Sequence, residues 1–596
     1  MTRLSTGAFA VLVAATIAAF FITQHLKVTT PLLAGTPRPV PAVIDPLHGV
    51  PCMQGRNSGS TTISFYLLHR ADTVDVFVVS DATGEIVRTV AGDRHMRKGV
   101  RNPDGVFRWD GREDNGQVAP EGTYYFRVAL IHQNRTIDLS NVPVKVKTSP
   151  PRPVVTRVTP SLIPGARGTS VTIHYAGNDN RGGTIRIYRT DRPGDPLVKS
   201  FLTPWNGHTA IWDGKINGRP APAGTYLVGL DVTDAACDTG HSLVRVPPAR
   251  GTTPNAGVTV SYLAAQAPLD PVPAGSDADV QVRSPGLAYH WALSLDGTRG
   301  STASGESSQA TLSVHLPTGR PGLYKLALRS AAGTTTIPIA ASGAPRARVL
   351  VVLPALTWQG LNPVDDSGNG VPNTLANGGP INLDRPLVDG PPAGIADEAG
   401  LLAYLDASHR AYELTTDLGL ISGVGPRLRG RAAVVLAGSE RWLPPAEMAA
   451  LRAYVGAGGN LLSLGIDSLR RGVTVVGNRA LDPTPPSATD ALGARLGGLA
   501  SKTAAPVAVT TDTLGLFTGV VAPLAGFRTY QPVLSVAAPG RVESSAAPSG
   551  ASPAIVGYGL GDGVVVDLGV PGFGSALPND AAAQQLLDQI WNVLSK

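Results

Sequence analysis

The chain has 596 residues, a formal net charge of +6 from 50 Lys and Arg against 44 Asp and Glu, and 43% hydrophobic residues. That length exceeds one core and predicts roughly three to five domains, and the apolar fraction excludes a disordered chain. No run of basic residues is interleaved with aromatics, which argues against nucleic acid as a partner.

Glycine (69) and proline (51) are abundant while aromatics reach only 5%, a turn-rich β composition with small side chains. Arginine outnumbers lysine and Ala, Gly and Pro dominate, as in a GC-rich bacterial genome. Arg3 precedes an uncharged stretch, Gly7–Gln24. Eighteen helical residues would span roughly 27 Å, near the ~30 Å hydrocarbon core. The expectation is a signal anchor over residues 1–27 that passes the membrane once and leaves the bulk of the chain extracellular. A cleaved signal peptide is the rival reading, although no small-x-small site follows Phe20–Phe21. Residues 28–48 are proline-rich and read as an extended linker.

Cys52 and Cys237 are the two cysteines. In an exported chain they read as a disulfide closing a loop of about 185 residues, worth up to about 5 kcal/mol on the chain-entropy model; two buried free thiols are the alternative.

An internal repeat follows. Trp109-Asp110-Gly111 runs through Asn115-Gly116 and Pro120 to Gly122-Thr123-Tyr124, and recurs as Trp212-Asp213-Gly214 through Asn217-Gly218 and Pro222 to Gly224-Thr225-Tyr226. Each copy ends in an alternating strand pattern, and Asn-Gly supplies the φ > 0 residues of a tight turn. The two units, 49–150 and 151–250, have the size of immunoglobulin-like sandwiches. This motif resembles the immunoglobulin-like domain of FlgD-type flagellar hook-capping proteins, which implies the fold and not hook assembly. Asp110 and Asp213 read as turn-capping residues beside a core Trp rather than as catalytic carboxylates. Residues 255–345 predict a third β-sandwich, with strand candidates at Val258–Tyr262, Ala278–Val282, His290–Leu293 and Tyr324–Leu328.

At Arg346 the pattern changes. Arg348–Leu353, Ala432–Ala437 and Asn460–Gly465 are continuous apolar strands, with helical stretches at Ala396–Ser408 and after Pro444-Pro445. This alternation predicts a doubly wound α/β domain over 346–596, so the whole reads as tandem all-β sandwiches followed by an α/β domain. Three stretches resemble the C-terminal domain of the N,N-dimethylformamidase large (β) subunit, a relative of the class I glutamine-amidotransferase fold. They are Val351–Asn362, Gly438–Trp442 with Ala453–Asn460, and Gly569–Gly574.

Glutamine-amidotransferase chemistry needs a Cys nucleophile and a His base. Both cysteines lie in the β units, and His409, at a helix end, is the only histidine of the last domain. No G-x-S-x-G supports a serine nucleophile. The amidase resemblance implies a mononuclear iron held by tyrosines and a glutamate. Here Leu361 and Arg441 stand where that family has tyrosines, while Glu440 remains; a guanidinium beside it would repel a cation and pair with the glutamate. Asp365, Asp366 and Asn369, with Asp384 and Asp389 downstream, are hard oxygen donors among glycines and suit calcium, or else form Asx turns without metal. The long loop to Pro392 leaves the carboxyl end of the first strand, where such folds bind ligands. Trp358, Asn362, Glu440 and Arg441 are therefore the candidate ligand residues, Trp358 having packing beneath the loop as its alternative. Two functional readings follow. In the first, a non-catalytic surface protein presents a degenerate amidase-like domain to a cell-envelope glycan or protein. In the second, an extracellular metal-dependent hydrolase of C–N bonds works around Glu440.

Overall fold

The architecture is that of a computed structural model, which describes residues 2–29, 31–35, 37–49, 58–163, 170–179, 181–248, 254–284, 286–298, 300–343, 347–388, 390–501, 507–520, 524 and 526–596. It is mostly β-sheet, 41% strand against 13% helix.

The first sandwich pairs Thr61–Ser64 with Val106–Trp109 on one side. On the other, Gly122–Leu130 lies between Asp72–Ser80 and Val144–Val146. Its core holds Phe65, Phe107, Trp109 and Phe126, each under 3% exposed. The repeat explains itself as one device used twice. Trp109 donates its indole N–H to the Arg112 carbonyl at 2.8 Å, and Trp212 does the same to Lys215 at 3.0 Å. The hydroxyls of Tyr124 and Tyr226 donate to the Pro120 and Pro222 carbonyls, both at 2.7 Å. Asp110 and Asp213 each accept the backbone N–H two residues on, at 3.1 Å. These carboxylates cap turns, so the Trp and Tyr rings pack 5.2 and 5.6 Å apart under a fixed loop. A third copy of the tyrosine contact, Tyr324 to the Arg320 carbonyl at 2.9 Å, occurs in the third sandwich without the Trp-Asp-Gly signature.

Several sequence expectations are corrected. Among the described residues no helix is long and apolar enough to cross a membrane. The expected anchor and the single-pass, extracellular placement that rested on it are withdrawn. The helix Thr2–Thr29 includes Arg3, His25 and Lys27. The proposed linker 28–48 is also partly structured. Leu33–Ala34 pairs with Tyr66–Leu67, and Val43–Ile44 adds a parallel edge strand to Val144–Val146 with Ile44 fully buried. Proline suits such an edge because one side of the strand needs no N–H donors. The strand candidate at Val258, assigned to the third unit, belongs to the second. Gly257–Val260 hydrogen-bonds to Gly224–Leu227 and closes that sandwich. The third sandwich starts with Ala264–Gln266 and is built on Tyr289–Leu295, Gly322–Ser330 and Gly333–Ser342. Cys237 is disulfide-bonded; Cys52, the expected partner, lies outside the described residues.

After residue 346 an eight-stranded mixed sheet forms, in the order Glu413–Thr416, Val349–Leu353, Ala433–Leu436, Asn460–Leu464, Gly563–Leu568, Ile555–Leu560, Arg541–Pro548, Val507–Asp512. The first five strands are parallel, and the last three run antiparallel. The central strands are buried on both faces, which is why they read as unbroken apolar runs. The helix Ala581–Leu594 packs Leu586, Leu587, Ile590 and Trp591 into the main core of this region, its first turn capped by Asp580, which accepts from Ala582 and Ala583.

Candidate ligand cavity at the parallel strand ends

A cavity of about 200 Å³ opens where several parallel strands end. Pro354 follows the strand Val349–Leu353, Ala437 to Ser439 follow Ala433–Leu436, Gly465 and Ile466 follow Asn460–Leu464, and Val570 and Pro571 follow Gly563–Leu568; all line it. Strand carboxyl ends are where parallel sheets leave a crevice, because successive connections depart in different directions.

Trp358, Glu398 and Arg441 contribute polar groups to the lining beside Thr357, Asp397 and Ser439. The short helix Ala355–Leu361 places Trp358 8% exposed, with its indole Nε1 lacking a hydrogen-bond partner. The helix Ile395–Ala407 carries Glu398, 2% exposed, whose Oε2 is likewise unpartnered. Burial, with Asp397 adding to it, raises the Glu398 carboxyl well above the usual range and favours its protonated form, a weak hydrogen-bond contact from Trp358 opposing the shift. Arg441 is half-buried and its Nε has no partner, while its backbone N–H donates to Thr357 Oγ1 at 3.0 Å. Indole N–H, carboxylic acid and guanidinium are all donors, and each costs free energy while it stays buried and unpaired. A small ligand rich in acceptors, a carbonyl or carboxylate, would satisfy them together. An engineered apolar cavity of roughly 150 Å³ holds benzene, which sets the scale of such a ligand.

Glycines let the walls close. A Cβ on Gly438 would sit 2.0 Å from Glu398 Oε1, and one on Gly574 would sit 2.1 Å from the Asp397 carbonyl. Asp397 in turn accepts from Gly572 N at 3.1 Å and Ser575 N at 3.0 Å, holding the Glu398 helix to the Gly569–Gly574 stretch.

Trp358 and Arg441, both singled out from the sequence, thus share the cavity. Glu440 and Asn362 do not line it. Glu440 is 1% exposed and turns inward against Asp417, whose carboxyl shares a side-chain hydrogen bond with it. Burial and the neighbouring Asp417 carboxyl push it well above the usual range. Asp417 is raised as well, chiefly by burial, although it accepts the Leu356 N–H at 3.0 Å and the Leu418 N–H at 2.7 Å. The expected pairing of Arg441 with Glu440 does not form: no ion pair joins them among the described residues. Asn362 closes the loop instead, donating to Gln359 Oε1 and the Pro386 carbonyl and accepting from Val388.

The Asp365–Gly370 stretch faces away from the cavity. Asp365 accepts the N–H groups of Ser367, Asn369 and Gly370, and Asp366 pairs with Arg385 at 2.9 Å. Their oxygens are engaged by N–H groups and a guanidinium rather than gathered on one point, as a calcium cage requires. Asn369 Oδ1 accepts the Val371 N–H at 2.9 Å, and Asp384 accepts from Asn478; Asp389 lies outside the described residues. The loop docks on the β units: the Gly368 carbonyl accepts from Gly257 at 3.0 Å, the Gly370 carbonyl from Thr190 at 2.5 Å. Arg385, 3% exposed, ties it down through the carbonyls of Gln359, Asn362 and Asn373. His409 is exposed at the helix end. Glu398, Asp417 and Arg385 were not legible from sequence; an Asp directly after a buried strand was the one available signal, for Asp417.

A family model of the FlgD Ig-like domain matches residues 53–133. No curated protein matches the chain. Among solved structures, chicken CNTN1 FN1–FN3 domains align at 11% identity over 48% of this chain and 94% of that one, with a TM-score of 0.17. The β-galactosidase from Bacillus circulans sp. alkalophilus aligns at 12% identity over 41% of this chain and 31% of that one, TM-score 0.24. The exo-beta-1,4-mannosidase Op5Man5 from Opitutaceae bacterium strain TAV5 aligns at 13% identity, 42% and 36% coverage, and TM-score 0.22. The chain thus spans about a third of each of these enzymes, and likenesses at such TM-scores carry no inference about activity.

Proposed function

We propose that the region from residue 346 onward is an α/β domain of the glutamine-amidotransferase-like type, resembling the dimethylformamidase β-subunit domain, that binds a small carboxylate or carbonyl compound without turning it over. The immunoglobulin-like sandwiches act as its carrier. The observation behind this reading is the convergence of Trp358, Glu398 and Arg441 on one cavity at the strand carboxyl ends, where Trp358 and Glu398 offer each other only a weak contact and Arg441 Nε has no partner.

The residues do not fit the iron that the amidase resemblance implies. Leu361 contributes no oxygen donor to the cavity wall, Arg441 brings a cation to it, and the Glu440 carboxyl lies outside the lining. A guanidinium and a neutral acid repel or fail to ligate a divalent metal. Among the described residues no histidine or cysteine lines the wall, and Ser439 Oγ accepts from Ile466 N at 3.1 Å.

The test is a ligand-observed NMR screen of small carboxylates and amides against the full chain and its Arg441→Met and Trp358→Phe variants. Mass spectrometry of the same mixtures, with and without Fe²⁺ or Zn²⁺, follows turnover. Binding that weakens in both variants with no new product supports the proposal. Hydrolysis of an amide by the wild-type chain, or binding indifferent to both substitutions, overturns it.

A further inference from the structure

A second cluster lies far from the cavity in sequence, where the first two sandwiches meet. Asp45 follows the edge strand Val43–Ile44, and His48 follows one turn later. Asp238 belongs to the loop after the strand Gly224–Thr233, directly behind the disulfide-bonded Cys237. One ligand atom from each of the three lies within 4.8 Å of the others.

Each side chain is held in place by its own backbone. Asp45 is fully buried, and its Oδ1 accepts the N–H groups of Leu47 at 2.8 Å and His48 at 3.2 Å. Its Oδ2 lies 2.5 Å from His48 Nδ1, which fixes the ring. Asp238 is presented by an Asx turn in which Asp234 Oδ1 accepts from Ala236 and Asp238. Asp238 is 7% exposed, and its Oδ2 has no hydrogen-bond partner. Two carboxylates brought together in a buried place repel, and a neutral polar contact does not relieve them. The charged neighbours do not resolve this. Lys147 pairs with Asp179 and Asp234, so the remaining negative charge rests on Asp45 and Asp238, faced among the described residues by the His48 imidazole. His48 is more than half exposed, leaving open positions for water on the outer side.

We propose that Asp45, His48 and Asp238 bind a divalent cation of the zinc class that joins the first sandwich to the second. Zinc accepts imidazole nitrogen and carboxylate oxygen at about 2.0–2.2 Å, so tetrahedral ligands stand about 3.4 Å apart; His48 Nδ1 and Asp45 Oδ2, at 2.5 Å, would part slightly to admit the ion, and Asp238 lies within 4.8 Å of both. Calcium is disfavoured because it wants six to eight oxygens (~), and only two carboxylates converge here.

The experiment is calorimetric titration of the metal-stripped full chain at neutral pH with Zn²⁺, and separately with Ca²⁺, for the wild type, His48→Ala and Asp238→Asn. His48 is exposed, so His48→Ala is expected to fold, and circular dichroism checks both variants. The expected result is one equivalent of Zn²⁺, with affinity falling at least about tenfold in each variant, and an unfolding temperature that rises with Zn²⁺ only in the wild type. Absence of saturable Zn²⁺ binding, equal binding by both variants, or a preference for Ca²⁺ would each overturn the proposal.

Discussion

Arg385→Ala tests how the site's framework is held. The guanidinium donates to the carbonyls of Gln359 at 2.6 Å, Asn362 at 3.0 Å and Asn373 at 3.0 Å, and pairs with Asp366 at 2.9 Å. The side chains of Arg385 and Asp366 are only 4% and 12% exposed. Breaking a buried pair from one side leaves an uncompensated charge and costs about 3–5 kcal/mol. The three carbonyls lose their donors as well, each worth about 1 kcal/mol or more, though water entering the vacated space recovers part of this. The expected loss is therefore about 3–5 kcal/mol, concentrated in the region after residue 346. Because a multidomain chain does not unfold in one step, the assay is denaturant unfolding combined with hydrogen exchange of residues 359–388. Arg385→Met together with Asp366→Leu removes both charges but not the need of the carbonyls, so it should recover part of the loss and not all. Arg385→Ala within about 0.5 kcal/mol of wild type, with unchanged exchange, would refute the assigned role.

Two further outcomes are expected. Burial, with Asp490 nearby, pushes Asp567 from 3.8 to about 8. The folded chain then keeps a proton that the unfolded chain releases. That contribution is complete below about 3.8 and fades by up to about 1.4 kcal/mol per pH unit as pH climbs toward 8. Asp567→Asn should flatten this decline, as measured by unfolding across that range; an unchanged slope would contradict it. Trp212→Ala, at a side chain 1% exposed, should destabilise the second sandwich by about 3–5 kcal/mol, visible as a lower first transition in calorimetry.

What the sequence revealed follows from how local each signal is. The paired Trp-Asp-Gly and Pro-x-Gly-Thr-Tyr motifs are self-contained, since Trp109 bonds three residues away and Tyr124 four; a local device leaves a local pattern. The Asp365–Gly370 loop misled because its glycines and carboxylates answer contacts from Gly257 and Thr190, more than a hundred residues earlier. Val43–Ile44 was hidden in a proline-rich stretch for the same reason: its partner strand begins at Val144. Trp358 and Arg441 were legible through a resemblance carried by short motifs. Glu398 was not, because it is one of three acids in the helix Ile395–Ala407 and reads as solvent-facing until the Gly569–Gly574 stretch is packed over it.

The central claim is that the cavity's unpaired donors bind an acceptor-bearing ligand. Its most direct measurement is a crystal structure of the full chain soaked with the strongest binder from the NMR screen. The account predicts a ligand oxygen within about 3.2 Å of Trp358 Nε1 and Arg441 Nε, enclosed by Gly438 and Ile466. A ligand seated elsewhere, or one that leaves both donors unpaired, would contradict it.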